Sequence, residues 1–498
     1  MDRIIHWADA IADKILEKKN SSRIATGITP SGHIHLGNLR EMLTADAVRR
    51  AIQEKGGDAE IVYIADTFDP LRKRYPFLPE EYDEYVGMPL SDIPDPEGCH
   101  KSYSEHFLEP FIESLDILEI PVTLKKADEM YRNGEYSEMV VLSLRNRDKI
   151  ARIMKDVSGR DVEDNWSPFM PQCKNCRRIN STAVTGFDGD RVRYRCSNCG
   201  FEGENSINEG KLVWRVDWPA RWKLLGIDVE PFGKDHAAAG GSYDTGKKIA
   251  REVFSIEPPF PIVYEWINLR GKGAMKSSKG IVVPVREMVE VLPPEIVRYT
   301  IIRSRPERHI EFDPGLGLLE IIDEFEDAFR KSDRSVELSL VGEITYSDVP
   351  FRHLIVVGQI AGWDAERILE ILERNGHEIT ETLREDVERR ARYAKAWLER
   401  YAPENLKFRV KNREEIRSEF SDDERRFLRM YAESLQDDMS AERLHKLVYD
   451  VAEKAGIKAS RAFQAIYKAI LDTKHGPRAG YFLQSLGIDF VRKRFMEI

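Results

Sequence analysis

The sequence predicts an α/β fold, a parallel sheet interrupted by a long insertion and followed by an all-helical region. Three observations carry this prediction. The first 90 residues alternate strand-like and helix-like runs, strand-like runs resume near residue 211, and beyond residue 290 strands largely vanish while helix-capping signals multiply.

Taken in order, the first twenty residues (MDRIIHWADAIADKILEKKN) read as a charged amphipathic helix with no small-residue cleavage site. RIATGI is a strand, LGNLREMLTADAVRRAIQEKGG a helix, and AEIVYIAD a second strand. In the helix Leu39, Leu43, Ala47 and Ile52 recur near the helical period, and Gly56-Gly57 stops it. Strand, helix and strand at this spacing make a parallel βαβ unit. From Asp69 to Cys99 proline and charge dominate, which reads as an insertion running over the surface. Helical patterns continue to about residue 160, then come paired cysteines, and then strands return at DVEPF and FPIVYEWINL. In the C-terminal third Asp364 caps a helix reaching Gly376, and Thr382 with Glu385 and Ser421 with Glu424 have capping-box spacing. Ser440 opens a further amphipathic run that ends near Gly456.

At 498 residues the chain is too long for one core and suggests roughly three or four domains. No run approaches the length of apolar sequence that spans a bilayer, so the expectation is a cytoplasmic protein with no membrane partner. A net charge of −10 argues against a protein that coats nucleic acid everywhere. Residues 451–498, however, hold nine Lys/Arg against four Asp/Glu, which leaves room for a local RNA-binding surface.

Four of the five cysteines form two CxxC pairs, Cys173 with Cys176 and Cys196 with Cys199, with nineteen residues between the pairs. That is the spacing of a zinc ribbon, and four thiolates leave no open position, so the Zn2+ is expected to be structural. Disulfides and a redox pair fit a cytoplasmic ribbon spacing poorly. Arg177, Arg178, Arg191, Arg193 and Arg195 make the ribbon basic, and Cys99 reads as a bystander.

The stretch ITPSGHIHLGN, Ile28 to Asn38, turns from strand to helix through Gly32 and Gly37 and carries His33 and His35. Such a turn points backbone N–H groups and the positive end of a helix outward, which suits phosphate. Farther along, GKGAMKSSKG at 271–280 is a glycine-flanked loop with Lys272, Lys276, Lys279, Ser277 and Ser278, able to fold over a triphosphate. A solvated basic loop is the bland alternative.

These two segments resemble the HIGH and KMSKS signatures of class I aminoacyl-tRNA synthetases, with His35-Leu36-Gly37-Asn38 in the first and Met275 and Ser278 matching the second. Asn38 replaces the last histidine, and Ala274 stands where the first lysine belongs. Adding IADTFDPLRK, the cysteine cluster, WRVDWPARW and GKDHAAAGGSYDTG, nearly the whole chain is similar to the class I lysyl-tRNA synthetases found mostly in archaea. The resemblance implies a Rossmann-type catalytic domain at 1–95 and 211–290, split by an acceptor-binding insertion at 96–210 with the zinc ribbon at 171–201. It further implies a connecting stem-contact region at 291–345 and a helical anticodon-binding domain at 346–498.

The activity implied is attack of the L-lysine carboxylate on Mg2+–ATP to give lysyl-adenylate, followed by transfer to the 2′-hydroxyl of the terminal adenosine of tRNA(Lys), with tRNA needed before activation. His33, His35, Lys276 and Lys279 are then the catalytic groups. Gly32, Gly37, Asn38, Gly233, Asp235, Met275, Ser277 and Ser278 would bind ATP, with Asp235 accepting from the ribose hydroxyls at the end of a strand. Gly27, Thr29, Asp66, Trp218, His236 and Tyr264 would surround lysine, with Asp69 and Asp217 as further acids in the right segments. The related glutamyl enzymes carry an arginine seven residues before the glycine of P-x-G, whereas here that position is Ala25, and Arg23 fits only with a gap. A lost cation suits a cationic substrate. In the C-terminal region Arg492, Lys493, Arg494, Lys474 and Arg478 would reach phosphates, and Phe482 would stack on a base, while Phe463 and Tyr467 read as core. The rival readings are a glutamyl-type synthetase and a catalytically inactive zinc-ribbon protein that binds tRNA.

Overall fold

The computed structural model describes residues 5–159, 161–163, 166–275 and 282–498. Its main sheet has strands β1 (Ser21–Ile28), β2 (Asp58–Ala65), β3 (Thr123–Lys126), β4 (Val229–Gly233) and β5 (Phe260–Tyr264). They lie in the order β5-β4-β1-β2-β3, each neighbouring pair parallel. The chain steps from β1 to β2 and β3, leaves the sheet, and re-enters on the other side of β1. The order therefore reverses between β1 and β4, which puts a crevice at the carboxyl ends of these two strands.

Beside this sheet α1 (Trp7–Leu16) packs against α2 (Leu36–Glu54), and α2, α3 (Tyr103–Ile117) and α4 (Trp214–Leu225) bear on that crevice. As a crossover between parallel strands, α2 must lie against the sheet. Leu39, Leu43, Ala47 and Ile52, the residues at the helical period, are fully buried, together with Met42 and Val48. Truncating Leu39 or Leu43 to alanine would cost about 2–5 kcal/mol. At its far end α4 is closed by Gly226, whose φ of 61° is a left-handed conformation that suits glycine.

The segment after Asp69 departs from expectation. Leu71, Tyr75, Leu78, Tyr82, Met88, Leu90 and Ile93 are buried and pack with Tyr103 and Phe107 of α3 as a core cluster of their own. Proline and charge at the surface of this segment mask an apolar interior. The cysteine-bearing excursion is a three-stranded antiparallel sheet, Thr182–Phe187, Arg191–Cys196 and Glu202–Ser206. Pairing of Phe169–Pro171 with Gly210–Leu212 closes its base.

The described residues cluster into two compact units. One holds residues up to Val289 with Val297–Phe312 and Ser332–Gly342, and the other holds Glu290–Ile296, Asp313–Lys331 and Glu343–Ile498. The second unit is helical from Phe351 onward. Asp364 caps Ala365–Arg374, Ser421 and Glu424 form a capping box on Asp422–Glu433, and Ser440 caps Ala441–Ala455. The helix expected at Thr382 starts earlier, because Thr380 accepts the Leu383 N–H and takes the cap.

Candidate active site

The turn between β1 and α2 is built around His35. This residue is the N-cap of α2, its Nδ1 accepting the Gly37 N–H at 3.1 Å, while the Asn38 side chain accepts the His35 N–H at 3.3 Å. Burial lowers the His35 pKa to about 4, so the ring is neutral and, with Nδ1 accepting, keeps its proton on Nε2. His33 is exposed and stands edge-on to Phe107 at 5.2 Å. Partial burial and nearby His106 lower its pKa as well. Both imidazoles are therefore biased toward neutral donors.

The lysine-bearing loop returns to the same turn. Strands Ile267–Leu269 and Gly273–Ala274 form its hairpin, with Lys272 exposed and Met275 buried. On the far side His35 and Pro284 form an antiparallel bridge, the Leu36 N–H donates to the Val283 carbonyl at 3.1 Å, and the Val285 N–H donates to the Ile34 carbonyl at 3.0 Å. The segment leaving the loop is thus sewn to the imidazole turn. Lys276, Ser277, Ser278 and Lys279 lie outside the described residues.

Gly27, Glu41 and Tyr264 meet at the carboxyl ends of β1 and β5. The Glu41 carboxylate accepts the Gly27 N–H at 2.7 Å and the Tyr264 hydroxyl at 2.8 Å. Glu41 makes no ion pair among the described residues. Burial pushes its pKa up to about 8 against those two hydrogen bonds, with the charges of Glu230 and Asp66 adding to the rise. Sequence reasoning missed this residue. The available signal was a carboxylate on the apolar stripe of α2, with Ala45, Val48 and Ile52 following at helical spacing.

Trp218 continues the wall from α4. It is buried, its indole N–H donates to Glu230 at 2.8 Å, and it stacks on Trp214 with ring centroids 5.4 Å apart. The His236 ring lies 5.4 Å from that of Trp218, and burial lowers the His236 pKa. Glu230 also accepts from Trp222, and burial raises its pKa to about 7. Gly233 ends β4 beside Tyr264, where a Cβ would come within 3.8 Å of the ring and 2.6 Å of Asp235. Asp235 itself is exposed.

Asp66, expected among the residues around lysine, is already paired within the protein. Both its oxygens accept from Arg221, and Lys211 Nζ lies 3.6 Å away. Burial opposes its charge, yet Arg221 and Lys211 hold its pKa below the usual carboxylate value. Arg221 also bonds Asp217, which accepts from Tyr131, and Lys211 bonds Asp69, which accepts the Thr29 hydroxyl at 2.9 Å. Buried acids attract buried bases, so these aspartates form a frame around the site rather than its floor. Arg23, the residue that a gapped alignment would bring into the pocket, is exposed and paired with Glu60 at 2.6 Å, while Ala25 is buried. Arg40, also missed, donates from α2 to the carbonyls of Trp266, Arg305, Pro306 and Arg308 and ties that loop to the helix.

Cys173, Cys176, Cys196 and Cys199 bring their sulfurs together in a group able to hold a metal ion. Cys173 lies 3.6 Å from Cys199 and Cys176 lies 3.6 Å from Cys196, close to the edge of a tetrahedral thiolate site. The surrounding basic face is weaker than the sequence suggests. Arg178 donates to the carbonyls of Val86 and Glu84, Arg177 pairs with Asp92, Arg191 with Glu204, and Arg195 with Glu202.

The C-terminal expectations are corrected similarly. Phe482 is fully buried, and Arg494 is buried with its guanidinium on the Ala469 carbonyl, whereas Lys474, Arg478 and Lys493 are exposed. Tyr467 is buried as core, and Tyr449 and Tyr481 are the exposed aromatics instead. Aromatic residues at helical spacing fill a bundle first, and sequence alone does not separate Phe482 from its neighbour Tyr481.

The sequence profile described as "tRNA synthetases class I (K)" matches residues 5–340, and an "Anticodon binding domain" profile matches residues 388–498. The chain is 65% identical to the lysine--tRNA ligase of Archaeoglobus fulgidus, covering 98% of this chain and 99% of that protein. It is 47% identical to lysine--tRNA ligase 1 of Methanosarcina acetivorans, covering 99% of this chain and 98% of the relative. With the lysine--tRNA ligase of Thermoplasma volcanium the identity is 42%, over 99% of both chains. Among the described residues no helix is long and apolar enough to cross a membrane.

Proposed function

We infer the activity from one premise: the chain belongs to the family of class I (K) tRNA synthetases. It is a lysine--tRNA ligase, which activates L-lysine with ATP and joins it to tRNA(Lys). The observation that supports lysine as the substrate is Glu41, a carboxylate that pairs with no cation among the described residues and is held by Gly27 and Tyr264 at the carboxyl edge of the sheet. The lysine ε-ammonium would supply the missing charge, and the Trp218–His236 wall would cover the rest of the substrate. Asp66 then acts as a positioning residue, because its charge is spent on Arg221 and Lys211.

In the first step a lysine carboxylate oxygen attacks the α-phosphorus of ATP, the bond to the bridging oxygen breaks, and pyrophosphate leaves. No protein base is required, since the nucleophile is already ionised. Catalysis is positioning and charge stabilisation by His33, neutral His35, the start of α2 with Gly32, Gly37 and Asn38, and the loop carrying Met275, Lys276, Ser277, Ser278 and Lys279. Gly233 lets the nucleotide approach β4, and exposed Asp235 accepts from its ribose. Mg2+ accompanying ATP neutralises phosphate charge. In the second step the 2′-hydroxyl oxygen of the tRNA terminal adenosine attacks the lysyl carbonyl, the acyl–phosphate bond breaks, and AMP leaves as the hydroxyl gives up its proton. The sulfurs of Cys173, Cys176, Cys196 and Cys199 would hold a structural Zn2+ outside the chemistry. Residues 388–498, matched by the anticodon-binding profile, would read the anticodon, with exposed Arg478, Lys474 and Lys493 on phosphates.

ATP–pyrophosphate exchange with lysine or glutamate, each with and without tRNA(Lys), tests this reading. Lysine-dependent exchange is the expected result. Exchange with glutamate alone, or none with any amino acid, overturns it.

A further inference from the structure

Trp214, Trp218 and Trp222 recur at every fourth position of α4, so the three indoles share one face of the helix. A buried indole needs an acceptor for its N–H. Strand β4, which has neighbours on both sides in the sheet, commits its backbone carbonyls to strand pairing, so the acceptor must come from a side chain. Glu230 supplies it. One of its oxygens takes the Trp218 N–H at 2.8 Å, and the other takes the Trp222 N–H. The carboxylate is buried and makes no ion pair among the described residues.

Packing is already good around Trp218. Phe232, on the same face of β4 as Glu230, meets it edge-on with ring centroids 5.3 Å apart, Trp214 stacks on it, and Tyr243 lies 6.2 Å away. Such a slot would hold a phenyl ring as well, with no acid beneath it, and burying a carboxylate without a cation opposes folding. What the acid adds is orientation. A carboxylate has two acceptor oxygens and no donor, whereas glutamine has one acceptor oxygen, so the two indole donors dictate the residue type.

We propose that Glu230 is a positioning residue for lysine: by binding both indoles it fixes the plane of Trp218, the ring that with His236 walls the amino-acid site. The proposal rests on the reading of that wall given above, and Glu230 is assigned no contact with the substrate. Its charge acts in a second, separable way, because it adds to the rise in the pKa of Glu41.

The test uses the full-length protein isotopically labelled at the indole nitrogens, with the Trp218 and Trp222 signals assigned from Trp218→Phe and Trp222→Phe. In the wild type both N–H signals should lie downfield and exchange slowly with deuterium, unlike that of the exposed Trp266. Glu230→Asp keeps the charge on a stem too short to reach both donors, and Glu230→Gln keeps the reach with a single acceptor oxygen. Each should shift at least one of the two signals and raise KM for lysine roughly tenfold, with KM for ATP nearly unchanged. In a Trp218→Phe background the Glu230→Asp penalty should vanish, because the donor through which it acts is gone. Unmoved indole signals, or a Glu230→Asp penalty that persists without the Trp218 indole, overturn the proposal. So does a rise in KM with Glu230→Gln and none with Glu230→Asp, which would assign Glu230 to the field around Glu41. Absence of lysine-dependent exchange in the wild type removes the underlying reading and this proposal together, whereas unmoved indoles in an active enzyme remove this proposal alone. Should both variants fail to fold, a fast-exchanging, upfield Trp218 signal in the wild type is still the overturning result.

Discussion

Two acidic regions flank the carboxyl end of β1 and meet opposite fates. At the end of β2, Asp66 is locked between Arg221 and Lys211 and stays ionised. On α2, Glu41 receives, among the described residues, only a backbone N–H and a phenol, and burial raises its pKa to about 8. The difference separates scaffold from binding site. A buried charge whose partner is covalently present serves the fold, whereas one with hydrogen bonds but no counter-charge is prepared for a cation that arrives from outside. A pocket of this kind also discriminates: glutamate would bring a second carboxylate against Glu41.

Breaking the scaffold side should have the largest effect. Arg221→Met removes the cation shared by Asp66 and Asp217, both buried, and should destabilise the protein by about 3–5 kcal/mol, read as a fall in the denaturation midpoint. An unchanged midpoint would mean that the aspartates take up protons without penalty and that the contrast with Glu41 is empty.

Removing the charge on the other side should leave the fold intact and damage function. Glu41→Gln keeps one oxygen to accept the Gly27 N–H, turns its NH2 to donate to the Tyr264 hydroxyl oxygen, and relieves an uncompensated charge, so stability should hold or rise slightly. The loss falls on lysine, with kcat/KM for the amino acid dropping roughly a hundredfold, about 2.7 kcal/mol, while KM for ATP stays near its original value. Equal losses for both substrates would place Glu41 in the scaffold with Asp66.

The raised pKa of Glu41 gives the comparison a pH signature. The free enzyme binds a cationic side chain only after Glu41 has lost its proton, whereas the lysine ammonium stays charged well above neutrality. KM for lysine should therefore fall as pH rises from 6 toward 8, by up to about tenfold per unit, and level off above the Glu41 value. Asp66, with its pKa lowered, contributes nothing in this window. A KM for lysine that is flat between pH 6 and 8 counts against Glu41 as the ammonium's partner.

Most of the architecture was legible in the sequence because it rests on local periodicity and punctuation. The apolar stripe of α2, the two cysteine pairs and the caps at Asp364, Ser421 and Ser440 are all short-range patterns. Other features depended on contacts between distant segments. Whether an aspartate is free or paired is decided by Arg221, whose separation from Asp66 along the chain is 155 residues, and no spacing rule reveals that. Tyr264 and Glu41 are 223 residues apart, and the acid was passed over because a glutamate within a charged helix usually faces water. The core around Leu71, Tyr75 and Tyr82 was hidden for the opposite reason, since prolines and charges between the apolar residues erase any period. In the C-terminal helices the composition pointed to a basic surface, but burial reassigned Arg494 and Phe482 to the interior.

The smallest effect is expected from Tyr264→Phe, and it is the most discriminating. Loss of the hydroxyl leaves the ring in place against Gly233, so the fold and the shape of the wall are kept. Glu41 then has only the Gly27 N–H, and one hydrogen bond that favoured its ionised form is gone. Lysine binding should weaken by about 0.5–1.5 kcal/mol, or roughly two- to tenfold, the usual worth of a single hydrogen bond. The direction of the accompanying pH change follows from the same bond: with less stabilisation of the carboxylate its pKa moves further up, so the plateau in KM is reached at a higher pH than in the wild type. A purely steric role for Tyr264 would weaken binding equally at every pH and leave the plateau where it was. A displaced plateau ties the phenol to the charge state of Glu41, and the comparison with Asp66 then holds at the level of a single proton.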